Sequence, residues 1–268
     1  MSQGGAPSCF CAVREPVSRR LVLRYHRGRG HRSRFMTRAT PPLSLTREAI
    51  LGDSLRALVQ AADPEARCLS PEEHKASLQA ALDARPERGD VWLFAYGSLI
   101  WNPLIHYVEK RVGTVHGYHR CFCLWTHIGR GTKAKPGLML GLERGGACRG
   151  IAFRIAESLA AEELEVVWRR EMLTGAYAPR WVTVVTKEGP VQAIAFAINR
   201  EHARYAGKLP EDRIIASIAE AQGPLGACAT YLFNTVAHLE DLGIHDRRLE
   251  RLRDRVTAKL AESGRTPQ

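Results

Sequence analysis

The chain has 268 residues, with 39 Lys and Arg against 28 Asp and Glu and a formal charge of +11. That length is ample for a domain with its own core and appendages, and 45 % hydrophobic residues exclude a wholly disordered chain. No apolar stretch is long enough to span a membrane, and seven cysteines without framework spacing exclude a disulfide scaffold and predict reduced thiols in the cytoplasm.

Residues 1–35 hold eight Arg and one acid, Glu15, and so account for +7 of the charge. Leu21-Val-Leu23 is too short for a secretory h-region. Three readings stay open for this tail: a start placed upstream of a working Met36, a disordered basic tail, or an Arg-rich targeting segment. Residues 36–89 read as a helical extension. Its amphipathic helices span 46–61 and 72–84, joined through Asp63-Pro64. Residues 90–264 read as the main domain, entered through the linker Pro86–Asp90.

That domain opens on an apolar run, Val91–Ala95, which predicts a strand buried on both faces. The run ends in Tyr96-Gly97-Ser98-Leu99. Here Gly97 is expected to take a φ that other residues avoid, breaking the strand into a turn. Such a turn gathers backbone N–H groups into an anion-binding nest, to which Ser98 adds a hydroxyl and Tyr96 a phenol. An ordinary strand-ending turn explains the same four residues. Further strands are predicted near 110–117, 119–126, 137–143 and 148–155.

A helix is predicted from Ser158. Leu164, Val167, Trp168, Glu171 and Met172 recur at three- and four-residue spacing and share one face, while Glu162, Glu165, Arg169 and Arg170 read as solvated. One carboxylate, Glu171, therefore lies on an apolar stripe. Burial raises a carboxyl pKa, and a carboxylate so tuned is a candidate general base or acid. Pairing with Arg170 or Arg180 is the structural alternative. Strands near 180–187 and 191–198 pair across Glu188-Gly189-Pro190. Helices near 210–222, 227–242 and 246–262 finish the chain, with Gly243 as a stop and Asp246 as an N-cap. Segregated strands and helices predict an α+β class.

Several ordered motifs match one family. Phe94-Ala-Tyr-Gly-Ser-Leu-Ile-Trp-Asn-Pro103, Arg111-Val-Gly-Thr-Val-His-Gly-Tyr-His-Arg120, Arg130-Gly-Thr132, Pro136-Gly137, Trp168-Arg-Arg-Glu-Met172 and Gly243-Ile-His-Asp246 resemble the ChaC-like γ-glutamylcyclotransferases, the glutathione-degrading branch of their superfamily. The resemblance runs from about Val91 to Leu249. It implies a small, mostly antiparallel β-barrel or curled sheet with surrounding helices, the Tyr-Gly-Ser turn and Glu171 meeting at one mouth. It implies cleavage of reduced glutathione to 5-oxoproline and Cys-Gly, with Glu171 as catalytic acid/base and Tyr96, Gly97, Ser98 and Leu99 gripping the γ-glutamyl group. No cofactor, metal, nucleic acid or membrane partner is implied.

Arg130 sits in a loop punctuated by Gly and Lys. It is either a lid residue meeting the glycine carboxylate of glutathione or part of a solvated basic hairpin. Tyr177 and Tyr205 are further candidates for the pocket wall, and Trp101 is expected to pack beneath the turn. His119, Cys121 and Cys123 alternate along one strand, with His127 beyond. Four ligands on one straight strand cannot converge tetrahedrally on zinc, so small buried wall residues explain them better. Rival functions are a cyclotransferase for other γ-glutamyl amines and a non-catalytic regulator of cation transport.

Overall fold

Five strands close into a barrel in the computed structural model, which describes residues 45–265. The tail, 1–35, lies outside the described residues. Strand β1 (Val91–Ala95) runs antiparallel to β3 (Gly137–Ile155), which pairs in turn with β2 (Glu109–Thr126). β2 pairs with β4 (Tyr177–Thr186), which turns back into β5 (Gly189–Ile198), and β5 meets β1 in parallel to close the ring. The barrel is thus mostly antiparallel, as the motifs implied. Its apolar interior explains why β1 reads as a continuous hydrophobic run: Val91, Leu93, Phe94 and Ala95 are fully buried.

Two pairs of predicted strands are in fact single long strands. β2 continues through Gly117 and β3 through Gly145-Gly146. The register jumps from His116↔Ala147 to Tyr118↔Arg144 at that level. Gly117, Gly145 and Gly146 all have positive φ, which bends the ladder as a bulge without ending it. A glycine inside an alternating run looks like a turn in one dimension; only the partner strand decides.

Helices α1 (Arg47–Leu51), α2 (Ser54–Ala62) and α3 (Pro71–Asp83) precede the barrel. The helix expected over 46–61 is two, because Asp53 takes a left-handed φ of 56° beside Gly52. A capping box at Ser70 and Glu73 starts α3. Helix α4 (Ala160–Glu171) succeeds β3 and buries Leu164, Val167 and Trp168 against the core. α5 (Glu211–Glu220), α6 (Cys228–Asp241) and α7 (Arg247–Glu262) close the chain, with a two-residue pairing of β6 (Gln222–Gly223) and β7 (Gly226–Ala227) between α5 and α6. Asp246 caps α7, accepting from the Arg248 and Leu249 N–H groups. Among the described residues no helix is long and apolar enough to cross a membrane.

Candidate active site

A cavity of about 220 Å³ opens where β1 ends and α4 ends. Tyr96, Gly97, Ser98 and Leu99 line it from the turn, Glu171 from the last residue of α4, Tyr177 from β4 and Arg130 from the loop after β2. The strand ends because Ser98–Ile100 winds into a 3-10 turn, closed by Ile100 N–H donating to Gly97 O at 2.9 Å. As at any helical start, the leading N–H groups, on Ser98 and Leu99, have no acceptor within the turn.

Gly97 does not take the left-handed φ expected of it; its φ is −135°. Space is the constraint. A Cβ built on Gly97 would lie 3.0 Å from the Tyr231 hydroxyl, with the Leu140 side chain behind it.

Arg170, expected in solvent, is only 9 % exposed. Its Nη2 donates to Ser98 Oγ at 2.6 Å, its Nη1 donates to Asn102 O, and its Nε meets Glu171 Oε1 at 3.0 Å. One guanidinium therefore ties the turn to the carboxylate of Glu171. Glu171 is both buried and paired. Burial pushes its pKa up, and the Arg170 charge and hydrogen bond pull it back only in part, so the net direction is upward. Tyr96 donates to Phe196 O at 2.7 Å, and its own carbonyl accepts from Arg120 at 3.0 Å. Arg120 also meets Asp246 at 3.2 Å, which links two of the sequence motifs.

Arg130 is not a solvated loop residue. Its guanidinium lies 5.5 Å over the Tyr231 ring and donates to Ala227 O at 3.1 Å, and burial lowers its pKa. Tyr177 donates to Leu140 O at 2.8 Å. Tyr205 falls outside the cavity lining, contrary to expectation. It pairs through its backbone with Leu124, and its hydroxyl donates to Glu143 at 2.5 Å, next to Arg200. Its neighbour Arg204 lines the cavity instead, donating to Thr174 Oγ1. Trp101 also reaches the cavity, edge-on to Tyr231 and stacked on His238. Cys123 is buried among Leu124, Ala176 and Ile198.

Among the described residues the cavity holds three guanidiniums, Arg130, Arg170 and Arg204, and one carboxylate, Glu171. Such a site favours an anionic ligand.

The ChaC-like protein family model matches residues 91–259. The chain belongs to the ChaC-like family. A glutathione-specific γ-glutamylcyclotransferase of Escherichia coli (strain K12) is 43 % identical over 195 residues, covering 72 % of this chain and 84 % of that protein. Glutathione-specific γ-glutamylcyclotransferase 1 of Rattus norvegicus is 32 % identical over 196 residues, covering 69 % and 88 %. The fold of this ChaC-like chain also resembles the crystal structure of a yeast γ-glutamyl cyclotransferase specific to glutathione. There the TM-score is 0.57 at 20 % identity, over 64 % of this chain and 97 % of that one.

Proposed function

We propose that this ChaC-like protein is a glutathione-specific γ-glutamylcyclotransferase acting in glutathione breakdown. The observation that carries the reading is the Ser98–Arg170–Glu171 chain of contacts, which brings the Tyr96–Leu99 turn and a buried carboxylate to one cavity.

The chemistry needs little more. The α-amine of a γ-glutamyl amide attacks its own γ-carbonyl, a five-membered C–N ring bond forms, and the amide C–N bond to Cys-Gly breaks. Glu171 takes the proton from the attacking amine and returns it to the leaving nitrogen, so the net proton count is unchanged. A carboxyl with a raised pKa suits both halves of that exchange. The turn grips the amino-acid end of the γ-glutamyl group through its leading N–H groups and the Ser98 hydroxyl. Holding the chain curled supplies much of the acceleration, because the reaction is intramolecular. Glutathione brings two carboxylates to a cavity with a surplus of guanidiniums. The reduced, glutathione-rich cytoplasm is the setting in which this reaction has its substrate.

The test is mass spectrometry of purified protein incubated with reduced glutathione. Release of 5-oxoproline and Cys-Gly in equal amounts is expected. No 5-oxoproline from glutathione, but release from other γ-glutamyl amines, would move the protein to the broader cyclotransferase class.

A further inference from the structure

The surplus positive charge in the cavity is divided between two places. Arg170 is neutralised by Glu171, but no described carboxylate lies within ion-pair distance of Arg130 or Arg204. Arg130 stands on the side of the turn: it covers the Tyr231 ring, whose hydroxyl lies against Gly97. Arg170 is among the groups whose charge acts on it. Arg204 stands elsewhere. It is held by Thr174, three residues beyond Glu171, and is influenced by Tyr177 and Cys68. Leu173, between Glu171 and Thr174, packs on Val59 and Ile128, so Thr174 follows directly on a residue packed against α2. The short backbone pairing of residues 204–206 with β2 fixes Arg204 there: Trp125 N–H donates to Arg204 O at 2.9 Å and Ala206 N–H to Cys123 O at 2.8 Å.

A partly buried guanidinium whose only described side-chain partner is a hydroxyl keeps most of its donors for something else. We propose that Arg204 binds the carboxylate at the glycine end of the substrate, and so selects γ-glutamyl compounds with an acidic tail. The inference rests on the function proposed above and moves to Arg204 the role expected of Arg130. With the γ-glutamyl end held at the turn and the scissile amide beside Glu171, the remaining dipeptide has to run away from the turn, toward Thr174 and α2. Arg204 is the cation on that side. Its desolvation, which lowers its pKa, is offset when a carboxylate arrives.

The experiment compares glutathione with its glycine ethyl ester, which keeps the tripeptide backbone but removes the charge. The wild type should favour the acid in kcat/KM. Arg204→Gln should lose about 10- to 100-fold on glutathione, the usual range for a hydrogen bond to a charged group, mainly through KM. It should stay within about twofold on the ester. Arg204→Lys should recover part of the preference, since it restores charge but not the guanidinium fork. Equal losses on acid and ester, or no wild-type preference for the acid, would overturn the assignment while leaving the cyclotransferase reading intact. If Arg204→Gln does not fold, Arg204→Met takes its place, and an undiminished preference for the acid in that uncharged variant overturns the assignment as well. A wild type that releases no 5-oxoproline from either compound would overturn the proposed function, and Arg204's role with it.

Discussion

Glu171 meets two opposed influences, and their balance can be measured. Burial penalises its charge, while Arg170 at 3.0 Å stabilises it. Replacing it by Gln keeps the shape and removes the proton acceptor. Glu171→Gln should lower kcat on the order of a hundred- to ten-thousandfold with the fold retained, and near-normal turnover would remove Glu171 from the mechanism. The same balance sets a pH dependence. The base has to be ionised, so kcat should rise with pH through a midpoint above the ordinary glutamate value. Arg170 lowers that midpoint, so Arg170→Gln should move the acidic limb to higher pH, whatever it also does to the rate through Ser98. An unmoved limb would mean that another group titrates. Stability has its own sign. A carboxyl with a raised folded pKa contributes stability below its unfolded pKa and loses it as pH rises through the folded one. The Tm of Glu171→Gln, relative to wild type, should therefore increase from pH 4 to pH 8.

At the level of elements, the turn after β1 depends on packing against α6. Because a Cβ on Gly97 meets the Tyr231 hydroxyl, Gly97→Ala should cost about 1–3 kcal/mol by overpacking and lower kcat/KM. Adding Tyr231→Phe should restore part of the lost Tm; no recovery would place the strain elsewhere. Helix α1 is held to α4 by a different device. Glu163 is 1 % exposed and takes Arg47 at 2.5 Å and His106 at 2.8 Å. Burial pushes its pKa up, but Arg47 and His106 overcome that and hold it low. Arg47→Ala leaves that carboxylate half-served and should cost about 3 kcal/mol, read by denaturant unfolding. Such elements differ in how far a linear sequence reveals them. The turn, Glu171 and the Asp246 cap are legible because each is a local pattern: a strand end, a helical stripe, a cap three residues ahead of its N–H. Arg170 is not, because its position on α4 looks outward until the turn is folded over it. Glu163 looks like any first-turn acid, because its partners lie in α1 and before β2. Arg204 carries no local signal at all. It enters the cavity only through the pairing of its segment with β2.

Across the whole molecule, the cavity is built from more than the segment that matches the family. Residues 91–259 supply the barrel, the turn and Glu171. Leu45, Leu55, Leu58 and Val59, all outside that segment, form part of the cavity wall. They are fastened over it by contacts from the domain: Arg169 to Asp53 at 3.2 Å, Lys133 to Asp63 at 2.9 Å and the His74 ring to Met172 O at 3.2 Å. The last of these joins α3 to the residue directly after Glu171. An apolar wall on that side limits how far a ligand can extend beyond the scissile amide. Reduced glutathione ends there in a single short dipeptide. Oxidised glutathione carries a second tripeptide on the cysteine sulfur, which would have to cross α2 or displace the Arg130 loop. Catalysis here is mainly positioning, so a ligand that seats only in part loses rate as well as affinity. The protein should therefore release 5-oxoproline from reduced glutathione and far more slowly from the oxidised form, with reductant excluded from both assays. Equal rates would mean that the wall formed by Leu45 and α2 stands open during turnover.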